Sequence, residues 1–284
     1  MRIDIGGIRL FVDIGGFALV PDGPVLRERP TLLLVHGGPG FDHSIQKSFA
    51  SRLARFAQVI CYDQRGHGRS DRAGPESWTL DDWADDIVRL CDALEISEPV
   101  VLGSSFGGIV AQAYAIRHPG HAAKLILHTT TPRFALDRIA AQFEELGGPK
   151  ARAIAEALWS DPGDPALLEP YLEICMPLYN TVPRDLALTR NWGIVTPDVL
   201  THFYQLGGEG HRFDFRTELR TVRSPTLVLG GVEDPICPIA DSDDIAAALP
   251  AALCSYRRFE NCGHGINWDD PEGFETVIRD FVVE

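Results

Sequence analysis

The chain has 284 residues, of which 45% are hydrophobic and 23% charged. That is the balance of an ordinary globular protein, long enough for one large α/β domain or two small ones. A formal net charge of −14 argues against nucleic acid or an anionic membrane as partner, because phosphate affinity comes from clustered Lys and Arg. The opening Met1-Arg2-Ile3-Asp4-Ile5-Gly6-Gly7 shows no basic segment leading into an apolar one, and no later run reaches a bilayer-spanning length. The expected location is therefore cytoplasmic. There Cys61, Cys91, Cys175, Cys237, Cys254 and Cys262, which show neither CxxC nor zinc-like spacing, read as free thiols.

In chain order, Arg2–Ile5 and Ile8–Val12 flank Gly6-Gly7 and predict a β-hairpin at a sheet edge. Short apolar runs at Thr31–Val35, Gln58–Tyr62, Pro99–Leu102, Lys124–Leu127 and Thr226–Leu229 predict buried parallel strands. Between them, Thr79 to Leu94 reads as an amphipathic helix. Leu80, Trp83, Ile87, Leu90 and Leu94 share one face, and Thr79-x-x-Asp82 resembles a capping box. Alternating strand and helix define an α/β fold with a mixed, mostly parallel sheet.

From Pro132 to Arg220 the strand rhythm stops in favour of Ala, Leu and Glu, interrupted at Asp161-Pro162-Gly163-Asp164-Pro165 and Gly207-Gly208-Glu209-Gly210. This predicts a helical lid over 132–220, inserted into a core formed by 1–131 and 221–284. Trp159, Tyr179, Trp192, Phe203 and Tyr204 are its expected pocket-lining aromatics.

The sharpest chemical signal is Gly103-Ser104-Ser105-Phe106-Gly107, a G-x-S-x-G run after an apolar strand and before the apolar run Ile109–Tyr114. A strand-to-helix turn this tight needs small residues and lifts the Ser105 hydroxyl toward a helix N-terminus, where developing negative charge is favoured. A serine hydroxyl is a poor nucleophile at neutral pH, so a histidine must take its proton and a carboxylate must hold that histidine. Around such an elbow the chain order is serine, acid, histidine. Asp234 follows the strand ending at Leu229, with Glu233 beside it as the alternative. His264 stands in Asn261-Cys262-Gly263-His264-Gly265, after the run Ser255–Phe259. His118, His121 and His128 follow the serine too soon for this order, and His202 and His211 fall in the lid.

The loop His36-Gly37-Gly38-Pro39-Gly40 after Val35 can expose backbone N–H groups to a carbonyl oxygen, which assigns Gly38 and Phe106 as oxyanion donors. His36 reads as an anchor of that loop. The chain carries no H-E-x-x-H metal spacing, and Gly37-Gly38-Pro39-Gly40 is not G-x-G-x-x-G. The expected chemistry requires no metal and no cofactor.

His36-Gly37-Gly38-Pro39-Gly40, Asp63-Gln64-Arg65-Gly66-His67-Gly68-Arg69-Ser70 and the Ser105 elbow together resemble the prolyl iminopeptidases and their relatives among the α/β-hydrolases. The order of Asp234 and His264 extends the resemblance over nearly the whole chain outside the lid. It implies the α/β-hydrolase fold, a Ser105–Asp234–His264 triad and an acyl-enzyme. The implied substrate is a small molecule or short peptide cleaved as by an aminopeptidase or amidase, with esterase or lactonase activity on small neutral acyl substrates as the alternative.

In the aminopeptidases, lid glutamates bind the substrate ammonium before an N-H-Y-F-like run. Here the nearest match is Leu200-Thr201-His202-Phe203-Tyr204, with Leu200 where that glutamate is expected. Glu209 and Glu233 are the substitute carboxylates, and Trp192 and Tyr204 the further expected substrate contacts. A non-catalytic ligand-binding protein is the rival from another class. A homo-oligomer is left open.

Overall fold

The strands alternate their side chains between two faces, and that alternation builds the molecule. In the computed structural model, which describes residues 1–183 and 193–283, ten strands form two sheets. They are β1 (Arg2–Asp4), β2 (Arg9–Gly15), β3 (Leu19–Asp22), β4 (Val25–Glu28), β5 (Thr31–Val35), β6 (Gln58–Tyr62), β7 (Val100–Ser104), β8 (Lys124–His128), β9 (Thr226–Gly231) and β10 (Cys254–Phe259). Eight of them make one sheet in the order β1-β2-β6-β5-β7-β8-β9-β10. β1 and β2 are the antiparallel edge, and β6 through β10 pair in parallel. The expected edge hairpin and all five expected parallel strands are present.

Leu33, Val35, Ile60 and Val101 project to one face of this sheet, while Leu32, Leu34, Val59 and Leu102 project to the other. Each of these side chains is almost wholly removed from water, a contribution of roughly 1.5–3 kcal/mol for a fully buried aliphatic group. The first face is covered by α2 (Leu80–Ala93) and α3 (Phe106–Arg117), and the second by α1 (Lys47–Leu53) and the C-terminal helix Pro271–Val283. Helix α2 begins where its pattern predicts: the Thr79 side chain accepts from the Asp82 N–H, and Leu80, Trp83, Ile87 and Leu90 are buried.

Between β8 and β9 the described residues form helices, with α4 (Leu136–Ser160), α5 (Leu168–Ile174) and α6 (Pro197–Tyr204), plus one isolated bridge between Arg133 and Asp214. α4 breaks at Gly148, whose φ is 75°, just ahead of Pro149, which cannot donate to a preceding turn. Phe143, Ala151, Ala155, Tyr171 and Cys175 give this segment its own apolar cluster, which also takes in Ile236 and Cys237 from the loop after β9.

The β3–β4 hairpin is an addition to the sequence expectation. Most of its residues are exposed, so no alternation of apolar and polar residues marks it. Among the described residues, no helix is long and apolar enough to cross a membrane. None of the six cysteines is in a disulfide.

Candidate active site

Position 105 is set by backbone crowding. Ser105 sits between β7 and α3 at φ 53° and ψ −121°, a conformation that side-chain-bearing residues rarely adopt. A Cβ at Gly107 would lie 2.1 Å from the Val35 carbonyl oxygen, and one at Gly103 would lie 2.3 Å from the Gly107 oxygen. Glycine at both places is therefore a steric requirement of the turn. The strained serine is held by its N–H donating to the His128 carbonyl at 3.0 Å, and by its own carbonyl accepting from the Thr130 hydroxyl at 2.8 Å.

His264 and Asp234 meet across the ends of β9 and β10. His264 Nδ1 lies 2.8 Å from Asp234 Oδ2, and the other carboxylate oxygen accepts the N–H groups of Ile236 and Cys237, each at 2.9 Å. With three donors around it, the fully buried Asp234 carboxylate is compensated. The Nδ1–H of His264 is thereby committed to Asp234, which leaves Nε2 as the proton acceptor. Glu233, the adjacent alternative, does not line the cavity described below, and its N–H donates to the Cys262 carbonyl. Cys237 brings its Sγ within 4.8 Å of the nearest ligand atoms of Asp234 and His264. These three residues have metal-ligating atoms, and the hydrogen-bonded Asp–His pair already occupies two of them.

Ser105 and His264 line one cavity of about 440 Å³, together with Gly38 and Phe106. Among the described residues the Ser105 hydroxyl makes no hydrogen bond, a looseness common before substrate is bound. Phe106 is the first residue of α3, so its N–H has no acceptor within the helix. Its ring turns the other way, edge-on to Trp83 and Phe203. His36 lies beneath the loop as an anchor: Nε2 accepts the Gln64 N–H at 3.1 Å, and Nδ1 lies 2.8 Å from the Gly37 carbonyl. Full burial lowers its pKa.

The Asp63–Ser70 run is scaffold of the same kind. Asp63 accepts from His43 and from the Arg69 N–H, and Arg65 makes a two-pronged bond to the buried Asp86.

A second serine–histidine pair lies alongside. Ser104 Oγ is 3.0 Å from His128 Nδ1, and both residues line the cavity. Burial pushes His128 down to about 3, so it is neutral at physiological pH, and among the described residues its Nε2 has no partner. Ser104 thus has a histidine neighbour with no carboxylate behind it.

The expected substrate contacts divide. Tyr204, Tyr179 and Trp159 line the cavity, whereas Phe203 is packed between Trp83 and Phe106 in the core. Trp192 lies outside the described residues. Glu209 is a correction: its carboxylate accepts the Leu80 N–H at 2.8 Å and caps α2, in a separate hollow with Arg117 and Arg212. A side chain so committed to a helix N-terminus is not turned toward Ser105.

The sequence expectation also misses residues that the cavity includes. Arg133, Asp241 and Leu200 line it. A brace from the inserted segment holds the histidine loop: the His264 N–H donates to the Tyr179 carbonyl at 2.7 Å, and Asn180 Nδ2 donates to the Gly265 carbonyl at 3.2 Å. Asp269 gathers the N–H groups of Gly263, Thr181 and Val182. Long-range contacts to backbone groups leave no trace in side-chain periodicity.

Residues 30–153 match the family described as the alpha/beta hydrolase fold. The chain has the α/β-hydrolase fold, and the curated relatives it matches are hydrolases. It is 29% identical over 280 residues to a proline iminopeptidase from Pestalotiopsis fici, covering 95% of this chain and 97% of that one. It is 26% identical over 259 residues to a 2-hydroxymuconate semialdehyde hydrolase from Pseudomonas putida, covering 89% and 86%. An esterase from Exiguobacterium antarcticum superposes with a TM-score of 0.76 over 100% of this chain and 99% of that one; at 20% identity this speaks for the fold alone. Relatives with such different named activities define the hydrolase class and leave the bond cleaved to the site itself.

Proposed function

We propose that this hydrolase is a serine esterase or lactonase acting on small acyl substrates, with Ser105 as nucleophile, His264 as general base and Asp234 as the acid that orients it. His264 Nε2 takes the Ser105 proton as the oxygen attacks the carbonyl carbon. The Gly38 and Phe106 N–H groups stabilise the oxyanion. The imidazolium protonates the leaving oxygen, and water activated by the same histidine releases the acyl group. Each oxyanion donor is worth roughly 3 kcal/mol in the transition state. The inserted segment, within the proposed lid 132–220 over the core of 1–131 and 221–284, shapes the pocket and excludes water.

The observation that carries an ester or lactone over an amine-terminated peptide is the cavity's charge. Its one described carboxylate, Asp241, is tied to Arg138 at 2.6 Å, and Leu200 stands where the aminopeptidase resemblance expects a glutamate. A free α-ammonium therefore finds no unengaged carboxylate among the described lining residues. The 29% identity to a proline iminopeptidase favours the amide reading as the second choice. The test is a parallel assay of the protein and its Ser105→Ala variant against p-nitrophenyl acetate, butyrate and octanoate and against proline β-naphthylamide. Ester turnover that vanishes in the variant is expected. Amide turnover that vanishes would install the aminopeptidase instead, and activity surviving in the variant would remove Ser105 from its role.

A further inference from the structure

The cavity is lined by a cation that no carboxylate among the described residues pairs with directly. Arg133 follows the end of β8, where Thr129, Thr131 and Arg133, two residues apart, all line the cavity. Its backbone is pinned: the N–H donates to the Thr131 hydroxyl at 3.3 Å, that hydroxyl donates to the Arg133 carbonyl, and the residue bridges to Asp214. The guanidinium is not pinned. Among the described residues its buried Nε has no hydrogen-bond partner and the side chain makes no ion pair. Asp241 is engaged by Arg138 at 2.6 Å; Asp214 feels the charge of Arg133, but its two carboxylate oxygens are bonded by Arg216 at 2.9 and 2.6 Å rather than by Arg133. A buried guanidinium N–H left unpaired costs free energy, and a carboxylate supplied from outside would recover it through a charge-assisted bond.

We propose that Arg133 is the anchor for an anionic group on the substrate, so that the preferred acyl substrate is a small ester or lactone carrying a carboxylate. This rests on the Ser105 reading above, with Arg133 selecting which acyl chains reach the serine. Arginine suits the task because its planar fork stays charged at any working pH and matches a carboxylate geometrically. The walls around it, including Phe134, Ile139, Leu158 and Leu200, are apolar, so an ion pair formed there is weakly screened.

The test compares two esters that differ by one terminal group: mono-p-nitrophenyl glutarate, which ends in a carboxylate, and p-nitrophenyl valerate, which ends in a methyl. The unaltered protein is expected to favour the glutarate ester by about tenfold or more in kcat/KM, the size of one good charge-assisted contact. Arg133→Gln should shrink that ratio by a similar factor, chiefly through KM, and Arg133→Lys should restore part of it. Equal or better use of valerate, or a ratio unchanged in Arg133→Gln, would overturn the proposal. A variant that fails to fold leaves a readout on the intact protein: free glutarate should inhibit valerate hydrolysis competitively, and valeramide far less. Equal inhibition by the two would also overturn it. Failure of the Ser105 reading shows separately, as hydrolysis of both esters persisting in Ser105→Ala.

Discussion

The elbow around Ser105 and the inserted segment above it are held by opposite means. At the elbow, side chains are excluded: Gly103 and Gly107 sit where any Cβ would strike backbone, and Ser105 accepts a strained conformation that its neighbours enforce. In the inserted segment, the chain is joined to a distant loop through one backbone carbonyl and two polar side chains, those of Asn180 and Asp269. Tyr179 holds the His264 N–H, and Asp269 ties Thr181 and Val182 to Gly263. The first arrangement demands particular residue types at particular spacings. The second asks for a polar side chain such as Asp269 where distant backbone happens to pass, and nothing in local spacing announces the meeting.

Four measurements would break or sharpen this contrast. The largest effect is expected at the elbow's chemistry, where Ser105→Ala should lower kcat by on the order of 10⁴ or more with little change in melting temperature. A loss below tenfold would mean that the strained turn serves the fold alone.

Next is the elbow's packing. Gly107→Ala places a methyl against the Val35 carbonyl and should cost about 1–3 kcal/mol, read as a drop in denaturant midpoint. An unchanged midpoint would show that strand and helix can part without penalty.

The brace should matter less. Asp269→Ala leaves three N–H groups without their acceptor, and the expected result is a stability loss of about 1–2 kcal/mol with kcat reduced about tenfold as the His264 loop loosens. Loss of stability with full kcat would separate the brace from the chemistry.

The smallest effect is at Glu209. Burial raises its pKa, the Leu80 N–H working against that shift. A carboxyl whose folded pKa lies above its unfolded value stabilises the fold below the unfolded value, and that contribution is lost as pH rises through the folded one. Glu209→Gln keeps an acceptor for the Leu80 N–H and should flatten the pH–stability curve just above the ordinary glutamate range. A curve identical to that of the unaltered protein would show that the cap carries no proton linkage.

Much of the core was legible because its signals are local. Runs such as Thr31–Val35 and Val100–Ser104 are apolar on both faces because both faces are buried, and α2 announces itself through Thr79 and a single apolar stripe. The β3–β4 hairpin escaped notice because burial does not pattern its side chains. The pairing of His264 with Asp234 rather than Glu233 was open at the level of spacing. It was decided by the loop after β9, where the N–H groups of Ile236 and Cys237 turn toward Asp234.

By itself, then, the sequence determined the sheet, its helices and the serine elbow, because steric exclusion and side-chain alternation act between residues close along the chain. Only the tertiary structure decided where the carboxylates and cations went. Glu209 was spent on a helix end, Asp241 was tied to Arg138 and Arg133 was left open to the cavity. Those outcomes depend on which of several equivalent charges meets a partner from a distant segment, and no local pattern encodes that choice.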